Sequence, residues 1–328
     1  MQKLSKSSHS YTKSLISGRT VRFQRHFLHP KHWLLWLGVI LLWSVTQLLP
    51  YRALMFLGRK IGQLLMWGAV GRREVVKVNL RLCFPKMSEQ ERHQLLIKNF
   101  ESTGMALFES AMGWWWSDQR LEPLLTFHGL DRLNKVNEEG HGTLLFSMHS
   151  LTLELGVRLY GLRAVGMGVY RPHNNPVLEY LQVRGRSRSS KGMISKYKIK
   201  DAIRAMRAGE NMWYTSDQDF GPDGATFAPF FAVKEAATIT GGSTMARLSK
   251  AKVMPFLCIR NEDGSGYTLE LQEPLEDFPS GDDHEDATRT NKIIEQGILK
   301  APEQYMWLHR RFKTRPNESD PDLYGRKK

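Results

Sequence analysis

An uncharged run of apolar residues, "WLLWLGVILLWSVTQLL" at 33 to 49, constrains this chain more than any other stretch. Such a run must be buried in protein or meet lipid, and as a helix it is about long enough to cross a thin hydrocarbon core. Residues 1 to 73 contain no Asp or Glu, while Lys3, Lys6, Lys13, Arg19, Arg22, Arg25 and Lys31 precede the run. Trp33, Trp36 and Trp43 suit the interfacial belt of a membrane. The next stretch, "YRALMFLGRKIGQLLMWGAVGRR" at 51 to 73, is apolar but interrupted by Arg59 and Lys60. That pattern suits a helix lying in the headgroup plane better than a second span. No small-x-small cleavage site follows the run, which argues against a removed signal peptide. Membrane attachment is therefore expected, by a single span or by a helix that dips in. Its orientation stays open, because Lys and Arg flank both sides in similar numbers.

The formal charge of +14 over 328 residues predicts attraction to an acidic partner: nucleic acid, an anionic membrane or an acidic protein. The basic run "RGRSRSSKG" is loop-like, and no nucleic-acid module accompanies it, so nucleic acid is not the expected partner. The only cysteines, Cys83 and Cys258, lie in apolar settings without partners at ligand spacing, and read as reduced packing residues. That fits a main body in the cytoplasm.

The chain divides into a basic, disordered arm at 1–31, a membrane anchor and interfacial helix at 32–73, and a helical segment at 74–125. An α/β domain at 126–316 and a polar tail at 317–328 complete it. Ser88 and Glu91 form a capping box that opens a long amphipathic helix carrying Leu96, Phe100, Leu107 and Ala111. Beyond about residue 126, apolar runs alternate with helical periods, the pattern of an α/β fold. "GTLLFSM" at 142 to 148 and "VGMGVY" at 165 to 170 read as buried strands joined by a helix. Asn175 followed by Pro176 predicts a helix start, and the helix closes near Gly185 or Arg186. "NMWYTSDQD" reads as a strand ending in acids, "AATITGGSTMARLSKA" as a helix, "KVMPFLCIR" and "YTLELQ" as a hairpin, and "ATRTNKIIEQGILK" as a late helix.

On this map His149 sits at the carboxyl end of the first strand, and Glu154 opens the following helix. Functional groups gather at such edges in open α/β sheets. A carboxylate on one imidazole nitrogen fixes the tautomer and makes the other nitrogen a base for an alcohol. The spacing H-x4-E alone is weak. No second His or Cys stands at metal-ligand spacing, there is no G-x-S-x-G, and the calcium-loop-like "DQDFGPDG" has Ala228 where a glutamate is needed.

The pair does not stand alone. "MHSLTLELG", "VYRPHNNPVLEYLQVRGRSRSSKGMI", "GENMWYTSDQDFGPDGATFAPFFAVKEAATITG" and "APEQYMWLHRRFKTRP", in that order and with "NLRLCFP" at 79 to 85, closely resemble the late acyltransferases of lipid A biosynthesis. The likeness runs from about residue 30 to residue 316. It implies an α/β, glycerolipid-acyltransferase-like domain with an N-terminal membrane helix. The implied reaction transfers a fatty acyl chain from acyl carrier protein to a hydroxyl on a hydroxyacyl chain of Kdo(2)-lipid IV(A). It would occur at the cytoplasmic face of the inner membrane, with no cofactor and no metal. Residue by residue, it implies that His149 and Glu154 are catalytic, and that Arg186, Asp217 and Arg171 serve the oxyanion or the acceptor. Glu154 is expected to orient His149, and Asp217 to hold Arg186. "HRRFKTRP" is expected as a solvated basic face or a docking patch for carrier protein or lipid, and Met148, Phe230 and Phe231 as the wall that measures the acyl chain. The nearest alternatives are a glycerolipid acyltransferase, whose motif has Asp at the position of Glu154, and a membrane-anchored binding protein without catalysis.

Overall fold

The computed structural model describes residues 22–317 and 319–325. The arm expected over 1–31 lies outside the described residues as far as residue 21, as do residues 318 and 326–328 of the expected tail. Two short 3-10 turns, Arg25–Leu28 and Pro30–His32, lead into α1 (Trp33–Leu48), α2 (Tyr51–Gly68), α3 (Val70–Cys83) and α4 (Glu89–Trp115). After a short α5 (Asp118–Leu121), strands and helices mix: β1 (Leu125–His128), α6 (Leu130–Glu138), β2 (Thr143–Ser147), α7 (Leu153–Tyr160), β3 (Met167–Tyr170) and α8 (Pro176–Arg186). Then follow β4 (Gly192–Ser195), α9 (Ile199–Arg207), β5 (Asn211–Thr215), β6 (Ala225–Phe230), β7 (Val233–Ile239), α10 (Gly241–Ser249), β8 (Lys252–Arg260), β9 (Tyr267–Leu271) and α11 (Asp283–Lys300).

Seven strands form one sheet in the order β1-β9-β8-β2-β5-β3-β4, and β6 pairs with β7 in a separate hairpin. The strands β8, β2, β5, β3 and β4 run parallel; β9 turns back along β8, and β1 pairs parallel to β9. Every residue of β2 is buried, as expected for a central strand covered on both faces. Leu144 and Phe146 point to one side, into a buried cluster that takes in Met245 and Ala246 of α10 and extends to Val76, Leu80 and Phe100 of α3 and α4. Leu145 points to the other, into a cluster with Leu54, Met105 and Phe108. The N-terminal helices thus share their core with the sheet.

The capping box appears as expected, with Ser88 and Glu91 exchanging hydrogen bonds at the start of α4. Asn175 caps α8 through Val177 N and Leu178 N, and Pro176 occupies the first turn, where its missing N–H costs nothing. The stretch 236–251 departs from the helix expected of it: "AATI" belongs to β7, and helix begins only at Gly241. Tertiary pairing with β6 overrides the weak local preference there.

The single-span expectation finds no support in the described helices. Among the described residues no helix is long and apolar enough to cross a membrane. The 16 residues of α1 extend about 24 Å at 1.5 Å per residue, short of a hydrocarbon core of about 30 Å. Both ends of α1 are tied to the body. Near its start Trp36 joins Phe27 in a cluster with Val177 and Tyr180 of α8. Near its end Thr46 O accepts a hydrogen bond from the Trp116 indole at 2.9 Å. Its outer face stays bare, and Leu34 and Leu48 each keep 82% of their surface exposed. Nor does α2 lie free. Gly58, Gly62 and Gly104 let α2 and α4 meet backbone to backbone; a Cβ on Gly62 would sit 2.1 Å from Phe100 O, and one on Gly104 2.1 Å from Gly58 O.

A strap formed by residues 301–314 crosses the carboxyl edge of the sheet. The Asn99 amide donates to Glu303 O and Tyr305 O, and the Asn79 amide to Trp307 O and His309 O, at 2.7 to 2.9 Å. These two buried amides explain why the strap can run inside the protein without orphaned carbonyls.

Candidate active site

His149 follows β2 at the edge where β2, β5 and β3 end. Its main chain is fixed on both sides. Its backbone N–H donates to the Asp217 carboxylate at 2.9 and 3.1 Å, and its carbonyl accepts from Met306 N of the strap at 3.1 Å. Its Nδ1 lies 2.7 Å from Asp217 Oδ1. Burial alone would raise the Asp217 pKa, but the His149 ring and the hydrogen bonds from that residue outweigh it and bring the carboxyl below the ordinary aspartate value. An ionised carboxylate only accepts, so Nδ1 carries the proton and Nε2 the lone pair. The Thr215 hydroxyl, 3.1 Å from Nε2, donates to that lone pair and shows that an alcohol fits there.

Glu154 does not touch the imidazole. It grips Arg186 with both oxygens, Nε at 3.1 Å and Nη2 closer, and accepts the Trp114 indole N–H at 3.1 Å. Burial pushes the Glu154 pKa up, but Arg186 and Trp114 win and leave it below the usual glutamate range. Gly185 makes this arrangement possible, since a Cβ there would lie 2.4 Å from the Trp114 ring. The expected partners are therefore exchanged: Asp217 holds His149, and Glu154 holds Arg186. The physical reason is direction. Five residues along a helix and its corner carry Glu154 toward α8, whereas Asp217, two residues beyond Thr215 on extended chain, faces the same side as the Thr215 hydroxyl. That i, i+2 relation in "TSD" is the signal that could have found Thr215 and paired Asp217 with the base.

A cavity of about 460 Å³ opens beside His149. Glu154, Arg186, Thr215 and Arg171 line it near the strand ends. Leu153, Val157 and Tyr160, at helical spacing on α7, form an apolar wall opposite Met167, Val169 and Trp213. Arg171 is exposed at the rim. Met148, Phe230 and Phe231, the expected wall, lie elsewhere, packed with Trp307 and Phe312 in the core under the strap. "HRRFKTRP" is not a uniformly solvated face either. Arg311 is 1% exposed and donates to Ala237 O and Thr238 Oγ1, while Asp219 accepts from Thr314 N and Oγ1.

A histidine held by a buried acid beside a cavity with an apolar wall, at the edge of an open α/β sheet, is an arrangement able to pass an acyl chain to a hydroxyl. The sequence agrees with that class: residues 20–314 match the bacterial lipid A biosynthesis acyltransferase family, and the chain belongs to it. It is 46% identical to the lipid A biosynthesis lauroyltransferase of Escherichia coli K12 over 92% of this chain and 98% of the relative. Against the palmitoleoyltransferase of the same organism the identity is 43%, over 90% and 96% of the two chains. Against its myristoyltransferase the identity falls to 29%, over 95% and 98%. This protein is an acyltransferase of that family.

Proposed function

We propose that the protein transfers a fatty acyl group from acyl carrier protein to a hydroxyl of a hydroxyacyl chain on the lipid A precursor Kdo(2)-lipid IV(A), at the cytoplasmic face of the inner membrane. The observation that carries the reading is the His149 ring, held by Asp217 at Nδ1 and with Nε2 beside the Thr215 hydroxyl, at a cavity with an apolar wall.

His149 Nε2 takes the proton of the acceptor hydroxyl as its oxygen attacks the thioester carbonyl. The tetrahedral oxyanion lies near Arg186, whose Nη1 is not used by Glu154 and donates to it. Collapse breaks the C–S bond, and the imidazolium returns the proton to the leaving thiolate of the donor. An ester and a free thiol result. The acyl chain lies along α7 toward Tyr160, roughly 10 Å of wall at 1.5 Å per residue. Membrane contact is monotopic: the bare side of α1, with Phe56, Leu64 and Trp67 of α2, enters the headgroup region, and the surrounding basic residues meet anionic lipid.

The test is acyl transfer from acyl carrier protein to the purified precursor, read by mass spectrometry. The native protein adds one acyl group, and His149→Ala loses activity by about 10²–10⁴. Full activity in His149→Ala would sink the mechanism.

A further inference from the structure

We propose that Arg171 and Lys196 form an anion subsite that holds a phosphate group of the acceptor, a phosphorylated glycolipid. This inference rests on the function proposed above and adds to it the group that positions the acceptor.

The two cations are neighbours by construction. β3 and β4 run parallel with Tyr170 opposite Ser195, and Lys196 N donates to Tyr170 O at 2.8 Å, so the next residue of each strand emerges side by side. Both line the cavity that contains His149. Other cations of this region are neutralised: Arg186 by Glu154, Arg158 by Asp118, and Lys191 by Glu210. Among the described residues no carboxylate forms an ion pair with Arg171 or Lys196. The Arg186 charge is balanced by Glu154, so it contributes little net charge even though its Nη1 stays available as a donor, and the positive field at the cavity mouth comes from this unpaired couple.

The rim around Lys196 is amphipathic. Its ammonium lies 5.2 Å from the Tyr197 ring and 5.5 Å from the Phe220 ring, and those rings are 76% and 55% exposed. A charge held between bare aromatics suits a ligand with an anionic head and alkyl chains better than a soluble anion.

The phosphate of the acceptor matches the nearer spacing, and the kinetics below separate it from the donor's. Because β5 lies between β2 and β3, Arg171 and Lys196 stand two and three strand spacings from His149, about 10 and 14 Å at 4.8 Å per strand. An acyl hydroxyl on a sugar is separated from a phosphate on the adjacent carbon by about eight bonds, which reach about 10 Å at roughly 1.2 Å per bond of extended chain. The phosphodiester of a carrier-bound pantetheine thioester lies about 13 bonds from its sulfur, or up to about 16 Å on the same scale, a longer arm than either spacing requires.

The experiment measures steady-state kinetics of the full chain in mixed micelles for Arg171→Ala, Lys196→Ala and the double variant, with their folding checked by circular dichroism. Each single change raises KM for the phosphorylated acceptor about tenfold, equivalent to about 1.4 kcal/mol, with the loss in KM rather than kcat. Lys196→Arg restores most of the affinity. With an acceptor stripped of its phosphates, native and substituted proteins converge. An equal loss on the stripped acceptor would mean that a sugar carboxylate or a general effect is responsible, and would overturn the assignment. So would a raised KM for the carrier-bound donor that vanishes with a simple acyl-pantetheine donor, since the donor's phosphate would then be the ligand. Absence of any transfer by the native protein would instead refute the proposed function, which keeps the two failures apart.

Discussion

His149, the proposed base, is held by an acid that follows another strand, and that exchange of partners sorts two substitutions. Asp217→Asn preserves shape but turns an acceptor into a donor at Nδ1, so Nε2 becomes the protonated nitrogen. Its kcat is expected to fall by on the order of 10⁴, as when the aspartate of a Ser-His-Asp triad is amidated, and the pH profile of kcat/KM changes shape. Glu154→Gln leaves the Arg186 charge largely buried without its counter-ion. It is expected to lower stability by about 2–3 kcal/mol, below the figure for a fully buried pair because both groups keep some water contact, with the shape of the pH profile unchanged. Denaturant unfolding and pH–rate measurements on both variants check the split. A collapse of the pH profile in Glu154→Gln, with Asp217→Asn unaffected, would return the base to the pairing suggested by sequence spacing. The five site residues named from the sequence gather around this edge of the sheet: His149, Arg171 and Asp217 follow strands, Glu154 opens a helix, and Arg186 closes one. Which carboxylate meets which cation was not legible, since it depends on α8 and β5 meeting across gaps of 32 and 68 residues.

Among elements, the crossing of α2 and α4 is the most exacting. The sequence shows Gly58 and Gly62 four apart, yet an apolar helix with two central charges reads equally well as one resting on lipid. Gly104, far along the chain, decides it. Gly62→Ala must push a backbone carbonyl aside, and overpacking of this kind costs about 1–3 kcal/mol; Gly68→Ala, with nothing within 4 Å of the added Cβ, serves as the control. Thermal unfolding of the two variants is the measurement, and equal midpoints would contradict the close crossing. The central strands were legible from their apolar runs, as was α4 from its cap. β1 and β4 are only four residues each, and β6 and β7 carry no strong turn signal between them, so their pairing comes from the sheet and from α11 rather than from local preference.

At the scale of the whole molecule, charge and apolar surface lie together on the N-terminal helices. Arg52, Arg59 and Lys60 accompany the bare leucines and tryptophans of α1 and α2, and the chain as a whole carries +14. Membrane binding should therefore need both terms. Cosedimentation with vesicles rich in anionic lipid is expected to be strong and to weaken with salt, since each basic residue at such a surface is worth about 1 kcal/mol. Leu34→Glu with Leu37→Glu should reduce it at every salt concentration. Binding unaffected by that pair would place the contact on another face.

The strap has a consequence for how the protein is made. The amide that fixes the carbonyl of His149 belongs to Met306, a residue translated roughly 10–30 s after the histidine at ordinary synthesis rates. Through that interval the nascent chain can hold its central strands and its acid–histidine contact, but the clamp is incomplete. His149 is locked only when the closing stretch emerges and Asn79 and Asn99 seize it, so a chain released early leaves the ribosome with its sheet and without its lock.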